Sequence, residues 1–337
     1  YSNLDWVDDA KKKNKSFQRL AAIFDYFRED GMTFVPVQLD GQCNGSQHWS
    51  AIMKDPVIGE MVGIIPSDTP NDLYQHVANT TTDYCVHNTD SKKWCKKFLE
   101  YWDGEINRKV TKRSTMCDAY GLTFYGIQKY LKVEGHLDWV KKDEESAAIT
   151  ELSRAIKASL DRCLSEPNKG KEYLKSIIKI ANENNKHIEY TTPSGFKVVH
   201  YYNVINTRRS VAKLFNSKEL TFFITSDDVN FKAALQAIAP NYIHSLDAAH
   251  MFLTLDEMVS RGIYSLSMIH DSYGCLANYV STMRDILRDK FVEIHKDNQL
   301  ERFKNDVQNQ LGLVLPDPPD TGDLDVSEVL KSDYFFA

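Results

Sequence analysis

What this chain lacks narrows its class first. Its six cysteines (43, 85, 95, 117, 163 and 275) include no C-x-x-C pair and show no dense spacing. In a chain of 337 residues that excludes a disulfide framework and points to reduced thiols in a cytoplasm. A zinc set drawn from Cys85, His87 and Cys95 is short of a fourth ligand at the usual spacing. No apolar run approaches a membrane span, so no membrane partner is expected, and the opening Tyr1-Ser2-Asn3-Leu4-Asp5 is not a signal sequence. The first residue is not Met, so further residues are expected ahead of it. Internal repeats and low-complexity tracts are absent. There is no overall basic excess either: a net charge of −6 and a pI near 6.0 argue against a simple basic nucleic-acid coat.

What is present is a core-forming composition, 42% hydrophobic and 11% aromatic, in a chain long enough for two lobes. Charge is unevenly spread. Between Lys92 and Arg113 eight Lys and Arg face three acids, whereas from Val280 onward twelve acids face seven bases. A basic central stretch beside an acidic tail suggests one face for phosphates and another for solvation.

The stretch 267–274, SMIHDSYG, organises the rest. A β-forming run precedes it and a short apolar run comes after, so the His-Asp-Ser step reads as a hairpin turn that presents Asp271. Alone, such an acid usually makes only an Asx-turn. A second acid of the same kind lies upstream, where the β-branched run 33–39 delivers Asp40 to a strand tip before Gly41 and a turn into a helix. An isolated acid there is usually a cap. Two strand-end acids on rigid backbone, however, are what a magnesium site needs, with positions left open for phosphate and water.

Other segments read as support. Periodicity predicts a helix with one buried face over 16–27, and a capped helix start over 65–74 that runs through Val77, with a polar loop over 79–91. If 108–121 is helical, Lys112, Met116 and Tyr120 share a face with Arg108 one turn earlier. Two cations, an apolar spacer and an aromatic hydroxyl in that order suit a triphosphate with a sugar and base behind it. A solvated basic helix with Tyr120 in the core is the plainer alternative. Helices over 144–164 and 173–181 come next, then a strand, a Pro-x-Gly turn and a returning strand over 190–202. Arg208 and Arg209 open a loop at the tip of a basic probe, and 239–250 starts a helix leading to the Asp271 hairpin.

Four motifs in order, DGQCNGSQHWSA around Asp40, RKVTKRSTMCDAYG around Tyr120, APNYIHSLDAAH around His244 and IHDSYG around Asp271, resemble the single-subunit, phage-type RNA polymerase family, which includes the mitochondrial enzymes. With TPSGF at 192–196 and the closing SDYFFA, the likeness covers nearly the whole chain. The resemblance implies an α+β fold, mostly helical with an antiparallel palm sheet, arranged as a right-hand palm and fingers. Residues 1–56 would be the first palm segment, 57–243 fingers with the basic helix and a specificity-type hairpin, and 244–337 the second palm segment with a carboxyl-terminal foot. It also implies two-metal nucleotidyl transfer with Mg2+ on Asp40, Asp271 and the Gly41 carbonyl. Arg108, Lys112 and Arg113 would meet the triphosphate, Met116, Tyr120 and Gly121 the incoming nucleotide, and Tyr74 would sit close by. Tyr120 and His244 would select ribose.

The implied partners are a DNA template, the RNA product and ribonucleoside triphosphates. The family's amino-terminal promoter domain, thumb and an early Arg-containing palm motif have no counterpart here. The chain is therefore expected to be the large subunit of a split phage enzyme, in the cytoplasm of an infected bacterium. A second subunit would supply the missing regions and pack near Phe17, Leu20 and Phe24, and single-strand or promoter-opening factors could assist. A family A DNA polymerase is the first alternative, disfavoured because Gly41-Gln42 succeed Asp40 where that family has a bulky residue and Glu. A non-catalytic nucleic-acid-binding subunit is the second, disfavoured by the presence of both acids with Lys112 and Tyr120.

Overall fold

The computed structural model describes residues 34–212 and 218–336, together with residues 20, 23, 24, 27 and 28. In chain order, β1 (Val37–Asp40) leads into α1 (Asn44–Met53) and α2 (Pro56–Met61). A helical block comes next, formed by α3 (Leu73–His87), α4 (Lys93–Tyr101), α5 (Arg108–Asp118), α6 (Phe124–Val133), α7 (Lys142–Cys163) and α8 (Ser165–Glu183). Two ribbons, β2 (Ile188–Thr191) with β3 (Lys197–His200) and β4 (Asn203–Ala212) with β5 (Lys218–Val229), precede the long α9 (Phe231–Ser260). The chain continues through β6 (Leu266–Ile269), β7 (Ser272–Cys275), α10 (Val280–His295) and α11 (Gln299–Leu311). The described residues are thus mostly helical with small antiparallel sheets, the expected α+β class.

The sheet that matters joins chain segments far apart in sequence. β7 lies between β1 and β6, antiparallel to both. Leu39, Tyr273 and Cys275 turn their side chains into a core shared with α3 to α7, which contribute Cys85, Phe98, Ile127 and Leu152. A second core joins α8, α9 and α11 through Leu174, Tyr242 and Phe303. The helix α1 runs between the two: Ala51 belongs to the first, Trp49 and Met53 to the second, and all ten of its residues are buried.

Several expectations need correction. The polar stretch from Asn79 is no loop, because α3 continues to His87. Thr80, Thr81 and Thr82 donate their hydroxyls to the carbonyls four residues back, which satisfies them inside the helix. Val77, Ala78, Thr81 and Cys85 then form its buried stripe. The helix expected to start at Ala239 begins at Phe231, capped by the Asn230 side chain, so Pro240 is internal and not a start signal. Arg208 and Arg209 lie within β4, paired with Phe222 and Thr221, and not in a loop. His87 is exposed and held to the Asp83 carbonyl, while Cys85 and Cys95 are buried. Of the first helix, Leu20, Ile23, Phe24, Phe27 and Arg28 are helical, and Phe17 lies outside the described residues.

Beneath the sheet sit three buried histidines, His48 on α1, His250 on α9 and His295 at the end of α10. His48 Nδ1 and His295 Nε2 are 2.9 Å apart, His250 Nε2 donates to the Leu287 carbonyl, and Phe291 packs against all three rings. Burial pushes all three below the ordinary value, His250 to about 4 and His295 to about 3, and their mutual proximity adds to this for His48 and His295. The unfolded chain therefore takes up protons near pH 6.5 that the folded chain refuses, so stability falls as pH drops below that point. The expected loss between pH 6.5 and 5 is about 1.5 kcal/mol each for His250 and His295, with His48 acting in the same direction. Urea midpoints at pH 7 and 5 measure it, and equal midpoints would refute the neutral cluster.

Candidate active site

The acid pair is assembled by strand pairing. Asp40 closes β1 directly opposite Ser272, and the Gly41 N–H donates to the Asp271 carbonyl at 3.4 Å. Asp271 occupies the two-residue turn between β6 and β7 with His270, whose φ of 54° is uncommon for a side-chain-bearing residue. Both acids thereby reach the same end of one strand pair, Asp40 exposed and Asp271 half-buried. Gly41 also bridges to Phe336, so the last described residues of the chain buttress this corner. The Gly41 carbonyl accepts from Cys43 N–H at 3.0 Å and keeps a second lone pair. Two carboxylates and a carbonyl are hard oxygen donors that fit Mg2+, which keeps several positions for water and phosphate. Among the described residues no group of three or more His, Cys, Asp or Glu comes together in a way that could hold a metal, so any ion here would rest on the two acids and backbone oxygen.

Beside the acids stands the basic helix. Asn107 caps α5 by accepting from Lys109 N–H. The Arg108 guanidinium lies 5.1 Å and the Lys112 ammonium 5.8 Å from the Tyr74 ring centroid, so these two cations and Tyr74 form one group. Asp72 braces it twice: one carboxylate oxygen caps α3 at Tyr74 and Gln75, and the other takes Arg108 Nε. Gln42, Cys43, Asp72, Tyr74 and Arg108 line a cavity of about 220 Å³ between this group and the acid-bearing turn. Met116 is exposed one turn beyond Lys112. Arg113 is not brought to the group, because it pairs with Glu134 at 3.0 Å and lies over Tyr130 on α6.

Tyr120 does not share the α5 face as expected, since the helix ends at Asp118 and Tyr120 stands in the turn after it. Its ring instead stacks flat on His244 of α9, with centroids 4.4 Å apart and planes 7° from parallel. Three contacts hold this turn. Trp49 Nε1 donates to the Ala119 carbonyl at 2.8 Å, and buried Lys171 pairs with buried Asp118 and its carbonyl. Gly45 supplies the third, because a Cβ there would stand 2.7 Å from Ala119 Cβ and 3.0 Å from the Tyr120 hydroxyl. Gly121 then passes close to Ala239 and Pro240. Burial raises the Tyr120 phenol, with Asp247 next in effect. Burial lowers His244, as does His270, against an upward pull from Asp271.

Asp247 lies beside these residues and was passed over by the sequence reading. It is buried, accepts from Asn44 Nδ2 at 2.6 Å, and is pushed up to about 6, by burial first and partly by Asp271. With His244, Met268 and His270 it lines a cavity of about 630 Å³. Its position three residues after His244 on one helix was the available signal.

A family model described as DNA-dependent RNA polymerase matches residues 5–313. DNA-directed RNA polymerase 1, mitochondrial, of Nicotiana sylvestris is 30% identical over 322 residues, covering 91% of this chain and 31% of that protein. DNA-directed RNA polymerase 2, chloroplastic/mitochondrial, of Arabidopsis thaliana is 28% identical over 321 residues, with 91% and 31% covered. DNA-directed RNA polymerase 2A of Nicotiana tabacum is 29% identical over 318 residues, covering 91% of this chain and 93% of that protein. The chain spans about a third of the length of the first two. Those two names place the relatives in plant organelles and not in a bacterial cytoplasm, and no helix among the described residues is long and apolar enough to cross a membrane. The chain belongs to the DNA-dependent RNA polymerase family, of the single-subunit, phage type.

Proposed function

We propose that this chain carries the catalytic centre of a DNA-directed RNA polymerase, which adds ribonucleotides from their triphosphates to the 3′ end of RNA on a DNA template. The observation that carries the reading is the strand register that sets Asp40 beside the Asp271 turn, next to a cavity bordered by Arg108 and Tyr74. Asp40, Asp271 and the Gly41 carbonyl are the residues that would hold Mg2+. Bound there, a pair of such ions supplies a more acidic 3′-hydroxyl and charge neutralisation at the leaving pyrophosphate. Arg108 and Lys112 neutralise the triphosphate from the other side, a role whose removal costs on the order of 2–4 kcal/mol in the transition state. Tyr120 and His244 close over the sugar and recognise its 2′-hydroxyl, the donor and acceptor that deoxyribose lacks. Arg113, engaged by Glu134, acts at most after leaving that partner.

In this reading residues 1–56 and 244–337 form the palm and 57–243 the fingers. The β4–β5 ribbon is the specificity-type probe of duplex DNA, offering Asn206 and Arg208 from one strand. A further polypeptide supplies the promoter and thumb regions and packs against the first helix near Leu20 and Phe24, as an obligate interface of that kind would. Single-strand or promoter-opening factors act with it. The six free cysteines suit a reducing compartment such as the cytoplasm of an infected bacterium.

Three substitutions test the roles. Asp271→Asn abolishes extension of a primed template while template affinity stays nearly intact, because phosphate contacts spread over many cations carry the binding. Parallel loss of binding and activity in a mobility-shift and extension assay would count against it. Tyr120→Phe loses ribose-over-deoxyribose preference more than rate, and an unchanged preference in a competition assay removes Tyr120 from that role. Gly45→Ala adds helix propensity to α1 but drives a methyl into Ala119 and Tyr120, so the nucleotide KM rises while melting temperature changes little. An unaltered KM would place the Tyr120 turn outside the nucleotide site.

A further inference from the structure

Side chains along β1 alternate between the faces of the sheet. Leu39 faces the core, while Gln38 and Asp40 share the outer face with Ser267, Gly274 and Ser272 of the neighbouring strands. Across this face the Gln38 amide lies flat. Ser272 Oγ donates to Gln38 Oε1 at 3.1 Å, and Gln38 Nε2 donates to Ser267 Oγ at 3.4 Å, so one side chain spans three strands. The arrangement needs a glycine beneath it: a Cβ on Gly274 would stand 2.4 Å from Gln38 Nε2.

The bridge joins no core, since Gln38, Ser267 and Ser272 are only half-buried and lie on the face away from Leu39 and Tyr273. What it does is fix the orientation of one polar group. A primary amide has two N–H donors and two acceptor lone pairs. The two hydrogen bonds use one of each, leaving an N–H and a lone pair for a ligand on the open side. Two positions before Asp40, the amide stands roughly 7 Å further along the strand from the acid. The cavity beside Arg108 and Tyr74 lies past Asp40 in the other direction, at Gln42 and Cys43. With the 3′-hydroxyl at the acids and the triphosphate in that cavity, the step to Gln38 leads back over about one sugar–phosphate unit of the strand that bears the hydroxyl.

We propose that Gln38 is a positioning residue for the terminal nucleotide of the growing strand, its pinned amide donating to a sugar or phosphate oxygen there. The inference rests on the polymerase reading and adds a residue that aligns the attacking strand instead of the incoming nucleotide. Such a contact is independent of sequence, as amide contacts to the nucleic-acid backbone are. Ser267 and Ser272 act through Gln38 and touch the strand only by way of it.

The test uses the intact polymerase as purified and an RNA-primed DNA scaffold. Gln38→Ala raises the scaffold concentration for half-maximal extension about fivefold, the scale of one neutral hydrogen bond, and leaves the nucleotide KM unchanged. Gln38→Glu is worse, because it sets a carboxylate against phosphate beside Asp40, and Ser267→Ala with Ser272→Ala gives a smaller defect of the Gln38→Ala kind. Primers with a 2′-deoxy end or a methylphosphonate last linkage identify the oxygen: whichever abolishes the difference between wild type and Gln38→Ala carries the contact. An unchanged scaffold requirement overturns the proposal, as does a difference that survives both primers. So does a matching rise in nucleotide KM with a lowered melting temperature, which makes Gln38 a brace of the sheet. Failure of the wild-type enzyme to extend any primed scaffold refutes the polymerase reading itself, and the inference with it.

Discussion

Everything at the site depends on the register of β1 against β7. Side chains repeat every two residues in a strand, so a slip of one position would send Asp40 into the core and Leu39 to the surface. Burial on one face only makes that slip costly. Leu39 and Tyr273 are directly opposite each other on the core side, both buried, and buried Cys275 meets the exposed Val37 at the end of the strand pair. Losing a buried large side chain costs on the order of 1.5–3 kcal/mol. The outer face reinforces the same choice, because only Gly274 leaves room for the Gln38 amide that lies opposite it.

The register in turn is held by the helix next in the chain. After the Gly41 turn the backbone enters α1, whose polar residues are buried and must each find a partner. Gln47 donates to the carbonyls of Val62 and Phe335, Ser50 to Asp55, Trp49 to Ala119, and Asn44 to Asp247. These directional bonds fix the helix rotationally as well as by packing. They also tie the acid corner, the Tyr120 turn and α9 to one helix, since each contains a partner of α1 or packs beside one. The buried Lys171–Asp118 pair adds a further tie, since removing either member would strand a charge in the interior.

Strongly periodic helices were legible, as over 144–164, because their apolar stripe is also their buried stripe. The hairpin at His270-Asp271 was legible too, being a local matter of strand formers around a turn. What misled were residues whose local preference was outweighed by their surroundings. The threonines of α3 look like loop formers until their hydroxyls are seen to bond back into the helix. Pro240 looks like a start until Ala234 and Ile238, buried on the residues ahead of it, are seen to belong to the same helix. Tyr120 falls at the right helical spacing from Lys112, yet the helix stops two residues short, and Lys171 holds that stop through the Asp118 carbonyl.

The sequence by itself determined the chemistry on offer: two strand-end acids, a cation pair on one helix turn, an aromatic hydroxyl and a histidine, each a property of residue type and short spacing. It could not determine which of them meet. The Tyr120–His244 stack, the Asn44–Asp247 contact, the Arg108–Asp72 pair and the Gln38 bridge all join residues from different elements. Such contacts arise when separate elements bury their apolar faces together, and their geometry is set by where the backbones then lie. The withdrawal of Arg113 toward Glu134 has the same origin. Its neighbour Lys112 carries the same charge, but adjacent positions on a helix point about 100° apart, and only the packed α6 decides what the second direction meets.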